Sequence, residues 1–201
     1  MNAKQFREAM RAINHQMLLN KEELGRLDAA AGDGDLGISM SAGFAAVCDK
    51  LVEAHGEDLG QLMMESGRAF NEAAPSSLGT ILSMGMIGAA LDLKGKTDCS
   101  TAEMAAAMEK GLARIMERAQ SKPGEKTILD ALCPAVQALH EHAQQPNAWQ
   151  KAAQAAQEGM ERTRMMRSVH GRSAYYGDKT IGHLDGGAVV GKLIFEAIAG
   201  L

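Results

Sequence analysis

The sequence predicts an all-α protein, an antiparallel bundle of helices. Apolar residues recur at helical spacing along nearly the whole chain, and no stretch shows the alternation typical of a strand. The composition agrees, because 46% of the residues are hydrophobic but only 3% are aromatic. Ala, Leu and Met supply the apolar mass, and these residues favour helices over sheets. A chain of 201 residues is long enough for one domain, 1–201, with a sizeable core.

Five helices are predicted in the first half of the chain. Phe6, Met10 and Ile13 have helical spacing in the first helix, and Leu24 and Leu27 continue the pattern in the second. The fifth is very apolar and glycine-rich, which indicates a central, closely packed helix. The predicted ranges are 3–19, 20–31, about 37–54, 57–73 and 78–93.

Four more helical segments are predicted in the second half. Ser100-Thr101-Ala102-Glu103 resembles a capping box and begins the helix 101–119. The turn Lys122–Thr127 precedes a helix at 127–144, and Pro146-Asn147 precedes another that ends near 168. Residues 169–187 have no periodicity, and a loop of this length in a compact domain is usually functional or disordered. The last helix is predicted at 188–199.

Charge and composition exclude several classes of protein. The net charge is −4 with no block of Lys and Arg, so we expect no nucleic-acid partner. No apolar run approaches 18 residues and no secretory segment follows Met1, which predicts a cytoplasmic protein with no membrane contact. Cys48, Cys99 and Cys133 are widely spaced and are expected to be reduced thiols.

The densest cluster of chemically informative residues is the stretch 27–37. Asp28, Asp33 and Asp35 lie within eight residues, and glycines open the chain so that the three carboxylates can turn to one point. Carboxylate oxygens suit Mg²⁺, which prefers a few carboxylates together with phosphate oxygens. The stretch therefore suggests a metal–phosphate site. The alternative is an acidic surface turn between helices, which favours the same residue types.

Other loops would complete such a site if they lie at the same end of the bundle. The helix that begins near Gly37 would offer free N–H groups to phosphate, as would the helix after Ser76 and Ser77. Arg172 would supply a guanidinium fork for phosphate oxygens. The alternatives are helix capping for the two serines and a surface salt bridge for Arg172.

Four separated motifs together resemble the nucleotide-binding L subunit, or L domain, of dihydroxyacetone kinases. The resemblance covers nearly the whole chain, with the motifs in the same order. The motifs are Asp28, Gly32-Asp33-Gly34-Asp35-Leu36-Gly37, Lys122-Pro123-Gly124-Glu125-Lys126-Thr127, and Gly171-Arg172-Ser173-Ala174-Tyr175 through Ile181-Gly182-His183-Leu184-Asp185-Gly186-Gly187-Ala188.

The resemblance implies a barrel of about eight antiparallel helices, closed at one end by ADP or ATP with two Mg²⁺. It implies that Asp28, Asp33 and Asp35 hold both ions and that Arg172 is the catalytic group. It implies a separate K-type subunit that carries a small ketose, with ATP or a phosphocarrier of the phosphotransferase system as donor. The nucleotide contacts it implies are Leu36, Gly37, Ile38, Ser39, Ser76, Ser77, Ala119, Ile128, Arg172, Asp185, Gly186 and Gly187.

The sequence departs from the family pattern at three places. Leu36 stands where His or Cys is usual, Ala74-Pro75-Ser76-Ser77-Leu78 replaces a glycine-rich serine motif, and Gly186 replaces a proline. These departures indicate a divergent paralogue and leave two functions open. One is a kinase subunit that needs a partner, and the other is a nucleotide-sensing module without full kinase activity. A metal-free helical scaffold is a third, which the complete aspartate triplet disfavours.

Overall fold

The computed structural model describes all 201 residues and contains nine α-helices. Two 3-10 helices, Thr163–Met165 and Arg172–Thr180, lie between the last two α-helices. There is no β-strand, and one isolated bridge pairs Asn2 with Asp98. The helices are α1 (Ala3–Leu19), α2 (Lys21–Ala29), α3 (Leu36–Glu53), α4 (Leu59–Ala73), α5 (Ser77–Leu93), α6 (Thr101–Ala119), α7 (Leu129–Glu141), α8 (Ala148–Arg162) and α9 (Gly186–Ala199).

Eight of the nine helices form a closed ring. From α3 to α9 each helix packs against the next one in the chain, and α1 closes the ring by packing against both α9 and α3. Their connections are mostly short, so neighbouring helices run antiparallel. The ring encloses a core that includes Phe6, Phe44, Phe70 and Phe195, all almost fully buried. The predicted all-α fold of about eight antiparallel helices is confirmed.

The ninth helix, α2, packs against α3 and α9 and leads directly into the acidic stretch. Close backbone contact fixes it to the start of α3, because a Cβ at Gly37 would overlap the carbonyl oxygen of Lys21. Only glycine permits this approach. None of the nine helices combines the length and the apolar character needed to cross a lipid bilayer.

The largest differences from the sequence prediction lie between α8 and α9. Helix α8 ends at Arg162, not near 168, and the chain continues as a 3-10 turn. The predicted loop 169–187 contains the second 3-10 helix, which is interrupted at Gly177. Helix α9 begins at Gly186, two residues earlier than predicted, because the side chain of Asp185 accepts a hydrogen bond from the backbone N–H of Ala188 and caps it.

Candidate functional site

The three aspartates of the acidic stretch come together in the structure. Asp28 lies near the end of α2, Asp35 directly precedes α3, and Asp33 lies in the loop between these helices. One carboxylate oxygen from each lies within 4.8 Å of the others. The turn depends on Gly34, whose φ of 78° is in the left-handed region that glycine adopts readily.

The cluster has the chemistry of a cation site. The Oδ2 atom of Asp28 is buried and has no hydrogen-bond partner. A buried carboxylate oxygen without a partner is costly, and so are three like charges at this spacing. Burial, followed by the negative charges of Asp33 and Asp28, raises the pKa of Asp35. A divalent cation would satisfy the orphaned oxygen and relieve the repulsion, so these residues fit Mg²⁺.

Arg172 partly neutralises the cluster. Its guanidinium forms an ion pair with the Asp33 carboxylate, and this hydrogen-bonded contact lowers the pKa of Asp33 and raises the pKa of Arg172. The long segment between α8 and α9 is therefore folded over the acidic loop. The arginine side chain remains 64% exposed, so it is accessible to a ligand as well as to Asp33.

The beginnings of α3 and α5 meet beside this cluster. The hydroxyl oxygens of Ser39 and Ser76 are 2.8 Å apart, and Ser76 also accepts a hydrogen bond from the backbone N–H of Gly79. Ser76 therefore caps α5, as one of the sequence alternatives proposed, and Ser77 beside it is exposed. No side chain caps α3. Uncapped N–H groups and the positive end of a helix dipole favour a bound anion.

Helices α7 and α9 begin at the same end of the ring. A Cβ built on Gly186 would lie 2.7 Å from Cδ2 of Leu36, and one on Gly187 would lie 3.3 Å from the backbone nitrogen of Ile128. The first residues of α9 therefore touch both α3 and the residue before α7. Asp185 lies beside them, and burial raises its pKa to about 6.

The N-termini of α3, α5, α7 and α9 thus lie at the end of the ring that carries the acidic loop, and most of the predicted site residues share this end. Two of the predicted residues have environments that the sequence did not indicate, because Leu36 is buried with the core and Ile38 is exposed. Ala119 is the last residue of α6, as predicted, and the 120–127 turn separates it from Ile128.

Sequence reasoning treated Lys122–Thr127 as a turn and missed the polar contacts inside it. Lys126 is only 4% exposed, and the three N–H groups of its ammonium are shared among four backbone carbonyls within hydrogen-bond distance. The Oε2 atom of Glu125 lies 2.6 Å from Nε2 of His170. The buried Asp130 carboxylate accepts hydrogen bonds from the backbone N–H groups of Gly124 and Thr127. Charged residues in or beside a turn normally indicate solvent exposure, so no signal in one sequence marks Lys126 and Asp130 as buried.

A closed helical ring with a carboxylate cluster among helix N-termini defines an all-helical protein with a candidate metal–phosphate site. The DAK2 domain family matches residues 30–200, and the chain belongs to this family. The chain is 32% identical over 199 residues to the L-erythrulose kinase of Pectobacterium atrosepticum, covering 95% of this chain but only a third (33%) of that enzyme. It is 28% identical over 182 residues to the ADP-binding subunit DhaL of the PEP-dependent dihydroxyacetone kinase of Escherichia coli, covering 89% of this chain and 87% of that subunit.

Solved structures show the same fold. The dihydroxyacetone kinase of C. freundii in complex with AMP-PNP and Mg²⁺ superposes with a TM-score of 0.79 at 26% identity. The match covers 96% of this chain and 33% of that one. The L-domain resemblance inferred from the motifs is confirmed.

Proposed function

We propose that this protein is the nucleotide-binding, phosphoryl-transferring subunit of a small-ketose kinase. It would bind ADP or ATP with two Mg²⁺ and transfer phosphate to dihydroxyacetone or a related ketose held on a separate K-type subunit. The observation that carries the proposal is the carboxylate cluster, with its unpartnered Asp28 oxygen, set among four helix N-termini. Phosphoryl transfer mainly requires positioning and charge neutralisation, and this arrangement offers both.

Each part of the site has a distinct role in the proposal. Asp28, Asp33 and Asp35 hold the two ions, which when bound neutralise the charge of the phosphates. The uncapped first turn of α3, from Leu36 to Ser39, presents N–H groups to phosphate oxygens. Further nucleotide contacts are assigned to Ser76, Ser77, Ala119, Ile128, Asp185, Gly186 and Gly187.

Arg172 is the proposed catalytic residue. Its guanidinium lies beside the acidic cluster and is largely exposed, so it can turn from Asp33 to a phosphate oxygen without leaving the site. A planar fork of donors holds two phosphate oxygens at once, and its charge matters most as negative charge shifts during transfer.

The partner would meet the end of the ring that carries this site. The segment between α8 and α9 that carries Arg172 also carries several exposed apolar side chains, and such side chains are typical of protein contact surfaces. They are Met165, Val169, Tyr175, Tyr176 and Ile181, with Tyr175 92% exposed. Two phosphoryl donors remain open, free ATP and a phosphocarrier that rephosphorylates bound ADP. The buried, apolar side chain of Leu36 offers no hydrogen bond to either.

A nucleotide-sensing module is the second candidate. The environment of Ser76 favours it, because the hydroxyl is already engaged by Gly79 and Ser39 and so is committed to capping α5. A module that binds Mg²⁺ and nucleotide, and acts by docking on a regulator, needs fewer phosphate contacts than a kinase.

Three measurements test these proposals. Native mass spectrometry and calorimetry with ADP and ATP, each with and without Mg²⁺, test the nucleotide site. A coupled turnover assay with the cognate K-type subunit then separates the two candidates. Mg²⁺-dependent binding with turnover supports the kinase, binding without turnover supports the sensing module, and the absence of binding rejects both.

A further inference from the structure

The segment 163–183, which carries Arg172, is not held by hydrophobic packing. No apolar residue in it is buried, and its three buried residues are the polar Thr163, Ser168 and Thr180. A segment with few buried apolar contacts is expected to open at low free-energy cost. Something other than the core must keep it folded over the acidic cluster.

Polar contacts close the two ends of this segment against each other. The backbone N–H of Gly182 donates to the carbonyl of Arg164 at 2.7 Å, and the backbone N–H of Ser168 donates to the hydroxyl of Thr180 at 3.0 Å. These contacts define a neck, beyond which residues 169–179 extend as a loop.

The ammonium group of Lys126 lies at the centre of the neck. Its three N–H groups are shared among four carbonyl oxygens, those of Thr163 (2.9 Å) and Met166 (3.2 Å) on the incoming side and those of Thr180 (2.6 Å) and His183 (2.7 Å) on the outgoing side. One cation thus joins the two ends of the segment. Hydrogen bonds from a charged donor are stronger than neutral ones, and burial strengthens them further.

The backbone at Lys126 is unusual in a way that supports a specific role. Its φ is 59°, in the left-handed region that disfavours residues with a side chain. Glycine would relieve this strain but would remove the ammonium. An observed outlier of this kind, held by its surroundings, points to a functional constraint.

We propose that Lys126 is a positioning residue that closes the neck of the 163–183 segment and thereby holds Arg172 beside the acidic cluster. We call this closure of the neck by the Lys126 ammonium the clamp. The effect of the clamp on phosphoryl transfer rests on the proposed function, whereas the clamp itself does not. Lys126 lies in the turn before α7, so it also couples that turn to the arginine. A second contact, between His170 and Glu125, joins the same turn to the loop beyond the neck.

Hydrogen exchange followed by mass spectrometry tests the clamp directly. In Lys126→Met, which keeps the length of the stem but removes the charge, we expect amides in 164–183 to exchange at least tenfold faster while the ring helices are unchanged. Lys126→Gly should show the same faster exchange, although glycine removes the backbone strain at this position. Gln120→Gly is the matched control, because Gln120 also has a positive φ (50°) in the same connection but has an exposed side chain.

Chemical rescue separates a clamp from a general stabilising role. In Lys126→Gly, n-butylammonium replaces the missing side chain and should restore slow exchange in the segment, whereas tetramethylammonium, which has no N–H donor, should not. Unchanged exchange in the segment, no rescue, or an equal rise throughout the ring overturns the proposal, as does a failure of both variants to fold.

The same variants connect the clamp to transfer. With the K-type subunit present, Lys126→Met should keep Mg²⁺-dependent nucleotide affinity within about threefold and lower kcat at least tenfold. A wild-type protein that binds no nucleotide rejects the proposed function but leaves the exchange result standing. Normal kcat with fast exchange rejects the positioning role alone.

Discussion

The substitution Asp28→Asn should have opposite effects on the free protein and on the ligand-bound protein. In the free protein, the Asp28 carboxylate has a buried, unpartnered oxygen and lies within 4.8 Å of Asp35. Two unit charges at that distance repel by about 0.9 kcal/mol in water and about 3.5 kcal/mol at an effective dielectric constant of 20. Because Asp35 is exposed, the lower end of this range applies, about 1 kcal/mol.

The helix dipole also makes the charge of Asp28 unfavourable in the free protein. Asp28 lies in the last turn of α2, where a negative charge opposes the helix dipole by about 0.3–1 kcal/mol. Removing the charge while keeping the shape should therefore stabilise the free protein by about 1–2 kcal/mol. For a chain of this length, that corresponds to a rise in Tm of about 2–8 °C.

The ligand response should be lost in the same variant. Nucleotide with Mg²⁺ at a hundred times its Kd should stabilise the wild type by about 2.7 kcal/mol, or about 5–10 °C. Asp28→Asn removes one of three carboxylate ligands, so we expect little or no shift. Scanning calorimetry with and without MgADP measures both effects, and Asp49→Asn, an exposed charge change on α3, is the control. A lower Tm in the free variant, or a full ligand shift, would refute the reasoning.

Three further outcomes are expected. Arg172→Lys keeps the charge but loses the guanidinium fork, so nucleotide binding should largely persist while phosphoryl transfer slows. Normal turnover in a coupled assay would mean that Arg172 only forms its ion pair with Asp33. Gly37→Ala should destabilise the fold by about 1–3 kcal/mol or more in urea unfolding, whereas Gly56→Ala, where the new Cβ would make only an ordinary contact with Gln61 Oε1 at 4.0 Å, should be nearly neutral. Because the pKa of Asp185 is raised to about 6, its ionisation destabilises the fold as pH rises through that value. Asp185→Asn should therefore stabilise the protein more at pH 7 than at pH 5. An equal gain in stability at the two pH values would contradict the raised pKa.

The fold could be predicted because its signals are local. Apolar spacing and the Ser100–Glu103 capping box identified most helices, and α6 has the predicted bounds. The aspartate triplet could be identified because three ligands lie close together in the sequence. The change to 3-10 structure after Arg162 could not, because it depends on hydrogen bonds from Lys126, which lies 37 to 57 positions away in the chain. The contact between Gly186 and Leu36 likewise depends on closure of the ring, which local sequence does not encode.

The polar neck of the 163–183 segment also has an evolutionary consequence. Substitutions at exposed positions that contribute no buried area usually change stability by less than about 0.5 kcal/mol. Tyr175 and Met165 are such positions, and Thr180 contributes the one side chain of the segment that closes the neck, since the other contacts use Lys126 or backbone groups. The residues that a partner contacts can therefore change during evolution. A lineage can acquire a new partner in this way without destabilising the ring of helices and without losing the acidic cluster.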